Sequence, residues 1–198
     1  MILRPTAGTI EAFGKNAAVD RAEISKDTNF AAVYAHMPLN LTVRQNLRIF
    51  GLLYGVKGLE DRISALLHQF ELERFADSKA GLLSSGELSR LSLAKAVINN
   101  PRLLLLDEPT ASLDPDTADW VRGRLERYCR ERHATVLLAS HNMAEVERLC
   151  ERVIMMKRGR IEDDDTPERL IARYGRNTLE EVFLDIARGR TDAREAAQ

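Results

Sequence analysis

With 198 residues, 44% of them hydrophobic and 30% charged, the chain is long enough to bury a core and has the balance of an ordinary globular protein. A net charge of −1 excludes the basic excess that a nucleic-acid footprint requires. No apolar run approaches the roughly 20 residues of a membrane span, and MILRPTAGTIEAFG has no basic stretch ahead of an apolar one, which excludes a signal peptide. The two cysteines, Cys129 and Cys150, lie in helical patterns without short-spaced metal partners, which suits a reducing, cytosolic setting.

Along the chain, Pro5 and Gly8 flank a short strand near Thr9 to Phe13, and Val19 to Lys26 reads as a short helix. Asn29 to Ala35 predicts a strand, followed by a loop through HMPLNL. Thr42 caps a helix through VRQNLRIFGLLYGV, with Val43, Leu47, Phe50 and Tyr54 at helical spacing. Further helices are predicted at Leu59 to Phe70 and Leu72 to Ala76. SSGELSRLSLAKAVINNP predicts another, with Leu88, Leu91, Val97 and Ile98 on its apolar face and Pro101 stopping it. RLLLLDEP and ATVLLAS read as buried strands, and the unbroken apolar run suits a parallel sheet covered on both faces. Between them Thr117 to Glu131 is helical. Met143 to Cys150 is a helix, VIMMKRGRI a hairpin, Thr166 to Tyr174 a helix, and the tail from Arg188 is polar and frayed. The alternation is that of an α/β fold, and the mostly helical stretch between Phe30 and Arg102 predicts a helical subdomain inserted between sheet strands.

Four motifs carry chemistry. In LLLLDEPT, Asp107 sits at the carboxyl end of a strand, where open parallel sheets bind ligands. Its carboxylate suits Mg²⁺, and Glu108 beside it suits activation of a water for attack on a phosphate. The same residues also read as a core strand ending in solvent-facing acids. In LLSSGELSR, Ser84 or Ser85 caps a helix whose N–H groups suit an anion, and Gly86 allows close approach; an ordinary capping box reads equally from these residues. In LLASHNMAEVERL, His141 follows the second strand, either as a phosphate or water contact or as a loop histidine. Asp114 in SLDPD taken alone is a turn former before Pro115.

Order and spacing join these motifs. LSSGE resembles the LSGGQ signature of the ATP-binding subunits of ABC transporters, with Ser85 in place of the first Gly and Glu87 in place of Gln. LLLLDE is similar to the family's Walker B strand, ASLD to its D-loop, ASH to its histidine switch, and RPTAGTIEAFG to the segment after its phosphate loop. The resemblance covers nearly the whole chain. It implies an α/β, P-loop NTPase-like core, incomplete, with a mostly parallel sheet, spanning residues 1–187. The helical subdomain falls at about 42–100, and a polar tail covers 188–198. GTIEAFG, LTVRQNLRIFGLLYGV and TLEEVFLDIARG look most like exporter subunits of the drug, polysaccharide or antibiotic type.

The resemblance further implies ATP and Mg²⁺ as ligands, with Asp107 on the metal, Glu108 as general base and His141 on the γ-phosphate. Ser84, Ser85, Gly86 and Glu87 would face the nucleotide of the opposite subunit, and Asp114 would couple the two sites. It also implies a head-to-tail dimer, homomeric or heteromeric, driving a separate integral-membrane permease from the cytoplasmic face of the membrane. A soluble ABC protein acting on nucleic acid is the competing class. Tandem domains or basic insertions would favour it, and neither is present.

Two departures qualify the resemblance. No G-x-x-x-x-G-K-[ST] occurs; Gly14-Lys15 continues with Asn16 and lacks the upstream glycine. Met1-Ile2-Leu3 resembles the tail of the helix that follows such a loop. Three origins are expected: a start placed too far downstream in an otherwise normal ATPase, a truncation that cannot hydrolyse ATP, or a degenerate subunit lending LSSGE to a partner's phosphate loop. The segment NFAAVYAHMPLNLTV also lacks the magnesium-sensing glutamine; His36 is a poor substitute and Gln45 falls inside the next helix. Without the strands that the missing stretch supplies, the sheet should show an open edge and apolar surface.

Overall fold

The computed structural model describes residues 5–32, 37–111 and 113–189. The chain divides into two compact units, 1–139 and 140–198. In the first, a two-residue ribbon pairs β1 (Glu11–Ala12) with β2 (Lys15–Asn16), followed by helix α1 (Arg21–Lys26). Strand β3 (Thr28–Ala32), β4 (Leu103–Asp107) and β5 (Thr135–Ala139) form a parallel sheet in the order β3-β4-β5. The expected end of β3 at residues 33–35, together with His36, lies outside the described residues.

Helices α2 (Val43–Leu53), α3 (Leu59–Gln69) and α4 (Ser85–Ala96), with short 3₁₀ turns at Glu73–Phe75 and Ala80–Leu82, separate β3 from β4 in sequence. Each start has a local cause. Thr42 accepts from the Gln45 N–H while the Gln45 side chain accepts from the Thr42 N–H, a complete capping box on α2. Gln45 is thereby committed to the cap. Gly51 allows α2 and α3 to approach, since a Cβ there would overlap the Leu59 side chain. Pro115 is the first residue of α5 (Pro115–Arg132), where its missing N–H costs nothing.

The core of this unit gathers Val43 and Leu47 of α2, Ile63 and Leu66 of α3, Leu91 and Ile98 around α4, and Leu104 and Leu106 of β4, all at most 2% exposed. Leu88 is half-buried, at the edge of the face assigned to it. The expectation of a sheet covered on both faces does not hold. On β4, Leu104 and Leu106 are buried but Leu103 and Leu105 are half-buried, and β5 alternates between exposed and half-buried residues. Phe30 is 45% and Leu137 60% exposed.

The second unit contains α6 (Met143–Leu149), a hairpin of β6 (Val153–Lys157) and β7 (Arg160–Asp165), α7 (Pro167–Tyr174) and α8 (Leu179–Arg188). Arg158 and Gly159 both have positive φ, the two-residue turn whose twist matches a hairpin. Leu170, Leu179, Val182 and Ile186 close its own core with Met143 and Val153. No helix among the described residues is long and apolar enough to cross a membrane.

Candidate functional site

The paired carboxylates sit where the sheet delivers them. Asp107 is the last residue of β4, in register with Ala32 on one side and Ala139 on the other, and it is exposed. The next peptide continues the ladder, the Glu108 N–H donating to the Ala139 carbonyl at 2.8 Å. Glu108 itself has φ 52, a left-handed conformation uncommon outside glycine and asparagine. The buried Pro109 and Thr110 and the Ala111 N–H bond back to the Glu108 carbonyl hold that turn. Such outliers persist where surrounding structure imposes them, and they cluster at functional sites.

The signature segment begins α4. The Ser84 Oγ accepts from the Glu87 N–H at 3.3 Å, and a Glu87 carboxylate oxygen accepts from the Ser84 N–H at 2.8 Å. The other Glu87 oxygen lies 3.8 Å from the Arg74 guanidinium. The cap leaves the Ser84 hydroxyl proton and the first-turn N–H groups of Ser85 and Gly86 available to an anion, with the positive end of the helix dipole behind them. Ser84 and Ser85 are exposed, and Ser84, Gly86 and Glu87 line an open cavity of about 600 Å³ with Arg74, Arg90 and Thr117. Asp107 and Glu108 do not line it.

Asp114 caps α5 by accepting from the Thr117 N–H at 3.0 Å. That N–H, and then the Thr117 hydroxyl, hold the Asp114 carboxyl below the usual carboxylate range. Gly86 meets the same threonine: a Cβ on Gly86 would lie 3.2 Å from its Oγ1 and 3.3 Å from its Cγ2. The structure therefore brings the signature turn and the D-loop carboxylate together through a residue that no sequence motif singles out. His141 is exposed in the second unit, between Ser140, whose hydroxyl donates to Glu145 at 2.7 Å, and Asn142, which caps α6. Ser112 of the ASLD segment lies outside the described residues.

One turn beyond Gly86 and Thr117, a cluster not anticipated from sequence ties the elements together. The Arg90 guanidinium stacks on Trp120 at 4.4 Å from the ring centroid and Arg124 lies at 5.0 Å; Phe70 meets the ring edge-on at 5.9 Å. Glu71 binds all three polar partners: it pairs with Arg90, lies 3.6 Å from Arg124, and accepts from the Trp120 indole N–H at 3.1 Å. Its carboxyl is held below the ordinary range by Arg90 first and Trp120 next. Glu71 too has a left-handed backbone, φ 57. No local pattern reveals this cluster, because Glu71 and Trp120 are 49 positions apart.

Among the described residues no group of three or more His, Cys, Asp or Glu could hold a metal ion unaided. The donor set nevertheless fits Mg²⁺, which takes one or two carboxylates and completes its shell with water and phosphate oxygens; Asp107, exposed at its strand end, is such a carboxylate.

Comparison with known proteins agrees with this geometry. A Nod factor export ATP-binding protein I from Rhizobium sp. (strain N33) is 35% identical over 181 residues, covering 90% of this chain and 59% of the relative. One from Burkholderia thailandensis is 37% identical over 172 residues, covering 86% and 56%. The chain thus spans under two thirds of the length of these relatives. Among solved structures, an ATP-binding subunit of an ABC transporter superposes with a TM-score of 0.78 at 26% identity, over 93% of this chain and 78% of that one. A dimeric ATP-binding cassette in a post-hydrolysis state, bound to ADP and phosphate, gives 0.71 at 26% identity, over 83% and 75%. The model of the ABC transporter family matches residues 1–111, more than half of the sequence, and the chain belongs to that family.

Proposed function

We propose that the chain is the energy-coupling part of an ABC-type exporter, using Mg-ATP in a dimer of ATP-binding subunits to drive a separate membrane permease from the cytoplasmic side. The observation that carries the reading is the ordered set of LSSGE on a capped helix start, Asp107-Glu108 at a parallel strand end, and Asp114 as the next cap. Export, as against import or a non-transport role, is supported by the relatives, which are named for the export of Nod factor.

In this reading Asp107 holds Mg²⁺ together with the nucleotide phosphates. Bound there, the ion offsets phosphate charge. Glu108, at the strand end with its positive φ, accepts a proton from the attacking water. Ser84 donates its hydroxyl proton, and Ser85 and Gly86 their N–H groups, to phosphate oxygens of the opposite subunit's nucleotide, beside Glu87. His141 contacts the terminal phosphate, and Asp114 links the two sites.

A second reading is favoured by one observation, that Ser84, Gly86 and Glu87 line an open cavity from which Asp107 and Glu108 are absent. The chain then lends its signature to a phosphate loop on a partner and hydrolyses nothing at its own Asp107-Glu108.

Steady-state ATP hydrolysis separates the two. A form read from an upstream in-frame phosphate loop should turn over Mg-ATP, and Glu108→Gln should lower the rate by about 10²–10⁴, the range for loss of a general base. Full activity in Glu108→Gln sinks the first reading. If the chain stimulates a loop-bearing partner, Ser84→Ala should abolish the stimulation and Glu108→Gln should leave it intact.

A further inference from the structure

We propose that Thr117 is the positioning residue that joins the signature turn to the Asp114 carboxylate, so that a displacement at one end is felt at the other. The inference rests on the ATP-site reading only in taking both ends as nucleotide-facing.

Thr117 makes two contacts with opposite partners. On one side its backbone N–H donates to Asp114 at 3.0 Å, and its hydroxyl adds to the hold on that carboxylate. On the other, its Oγ1 and Cγ2 stand 3.2 and 3.3 Å from the point a Gly86 Cβ would occupy. Both separations are below the 3.5–4.0 Å of a relaxed carbon contact, so α4 approaches Thr117 closely enough that only glycine fits without movement. Because Thr117 is β-branched, its χ1 is stiff, and neither Oγ1 nor Cγ2 can turn away from Gly86 freely, so a push on the side chain passes to the residue whose N–H holds Asp114. The two contacts are therefore made by one rigid group.

The next turn of each helix fixes the frame. Arg90, four residues after Gly86, stacks on Trp120, three residues after Thr117, and Glu71 holds both. With α4 and α5 tied there, the Gly86–Thr117 contact lies toward the free ends of both helices, where LSSGE and Asp114 present their polar groups. A ligand pressing on the signature turn would move Thr117, and with it the carboxylate. Threonine alone among ordinary side chains supplies both the hydroxyl and the methyl; valine lacks the first and serine the second.

The test uses the full 198-residue chain without nucleotide, with the Thr117 amide and Asp114 carboxyl resonances followed by NMR together with amide exchange. Gly86→Ala should shift both resonances, although neither atom belongs to residue 86. It should also raise the Thr117 amide exchange rate by about tenfold, the scale for loosening a hydrogen bond to a charged acceptor. Adding Thr117→Ala to Gly86→Ala should return both resonances most of the way, since alanine keeps the N–H that holds Asp114 and removes both atoms that meet the new methyl. Unchanged resonances in a folded Gly86→Ala chain, or a double variant no closer to the native shifts, would overturn the proposal. Should Gly86→Ala fail to fold, Thr117→Val gives the reverse test: it must move the Gly86 amide and the Asp114 carboxyl together, and movement of Asp114 alone refutes the link. No nucleotide is needed, so failure here leaves the ATP site standing, and absence of ATP turnover leaves this link standing.

Discussion

Glu71→Gln probes the tie between α3, α4 and α5. Glutamine keeps an oxygen to accept from the Trp120 N–H, now 3.1 Å away, but removes the charge facing Arg90 and Arg124. Hydrogen bonds to charged groups contribute about 1.5–3 kcal/mol, whereas exposed ion pairs contribute about 0–1. The Glu71 side chain is 51% exposed while both arginines are 21% exposed, so solvent screens roughly half of the site. Weighing the two, the expected loss is about 1–2 kcal/mol, or roughly 2–8 °C in Tm for a chain of this size. Trp120 is the only tryptophan in the chain, so its fluorescence reports both the local cluster and the melting. The pH dependence fixes the cause. Because the folded state lowers the Glu71 carboxyl, the unfolded chain binds more protons between the two pKa values, and stability rises with pH across that interval. The contribution is complete above the ordinary glutamate value near 4.3 and is lost as pH falls through the folded one. The gap between native protein and Glu71→Gln should therefore be constant at neutral pH and close below about pH 4. Equal melting at pH 7, or a gap that ignores acid, would refute the role given to the charge.

Three further changes test the frame that carries the site. Leu104→Ala, in the central strand at 0% exposure, should cost about 2–5 kcal/mol in urea unfolding. Lys95→Met should raise Tm at pH 7 by the equivalent of about 1 kcal/mol, because Lys95 is 7% exposed, lies over the Phe50 ring at 5.1 Å, and has its pKa lowered by burial. Lowering the folded pKa means that native stability rises with pH there, so the advantage of Lys95→Met should shrink toward pH 10. Tyr128→Phe should cost about 1–2 kcal/mol by leaving the Pro101 carbonyl, which accepts from the phenol at 2.9 Å, without its donor. Burial pushes that phenol up to about 12, so its contribution should persist through pH 10 and fade as pH rises toward 12.

Whatever a local pattern encodes is legible in the sequence. LLLLDE announces a strand ending in acids, and Thr42 and Ser84 announce helix starts, because strand periodicity and N-caps are properties of neighbouring residues; Asp114 reads as a turn former but caps α5. Leu179, Val182 and Ile186 show the spacing of a buried helix face as clearly, so TLEEVFLDIARG encodes α8 as well as a family likeness. The exposure of β5 is not legible from its own residues. TVLLA is as apolar as LLLLD, and whether a strand is covered depends on what packs over it, not on its composition. Glu71, Trp120 and Thr117 escape for the same reason. Each acquires its role from a partner on another helix, and a single sequence carries no trace of that pairing.

The structural and nucleotide-facing readings of these motifs are compatible. Ser84 is an N-cap, and so is Asp114; Asn142, next to His141, is another. A cap needs a short polar side chain just ahead of a helix, and it is needed because the first-turn N–H groups have no partner within the helix. Those same orphan donors are what an anion binds. A chain that places phosphate contacts at helix starts must therefore place caps there too, and the question is what the cap leaves free. At Ser84 the hydroxyl oxygen is used and its proton is not. At Asp114 one oxygen holds the Thr117 N–H, and the charge is stabilised by the bonds that make the cap. Capping is therefore compatible with a second role for each group, since it leaves Ser84 as a donor and holds the Asp114 carboxyl below its usual range. A variant that preserves the cap but changes what remains, such as Asp114→Asn, separates the two roles, because asparagine caps almost as well and carries no charge.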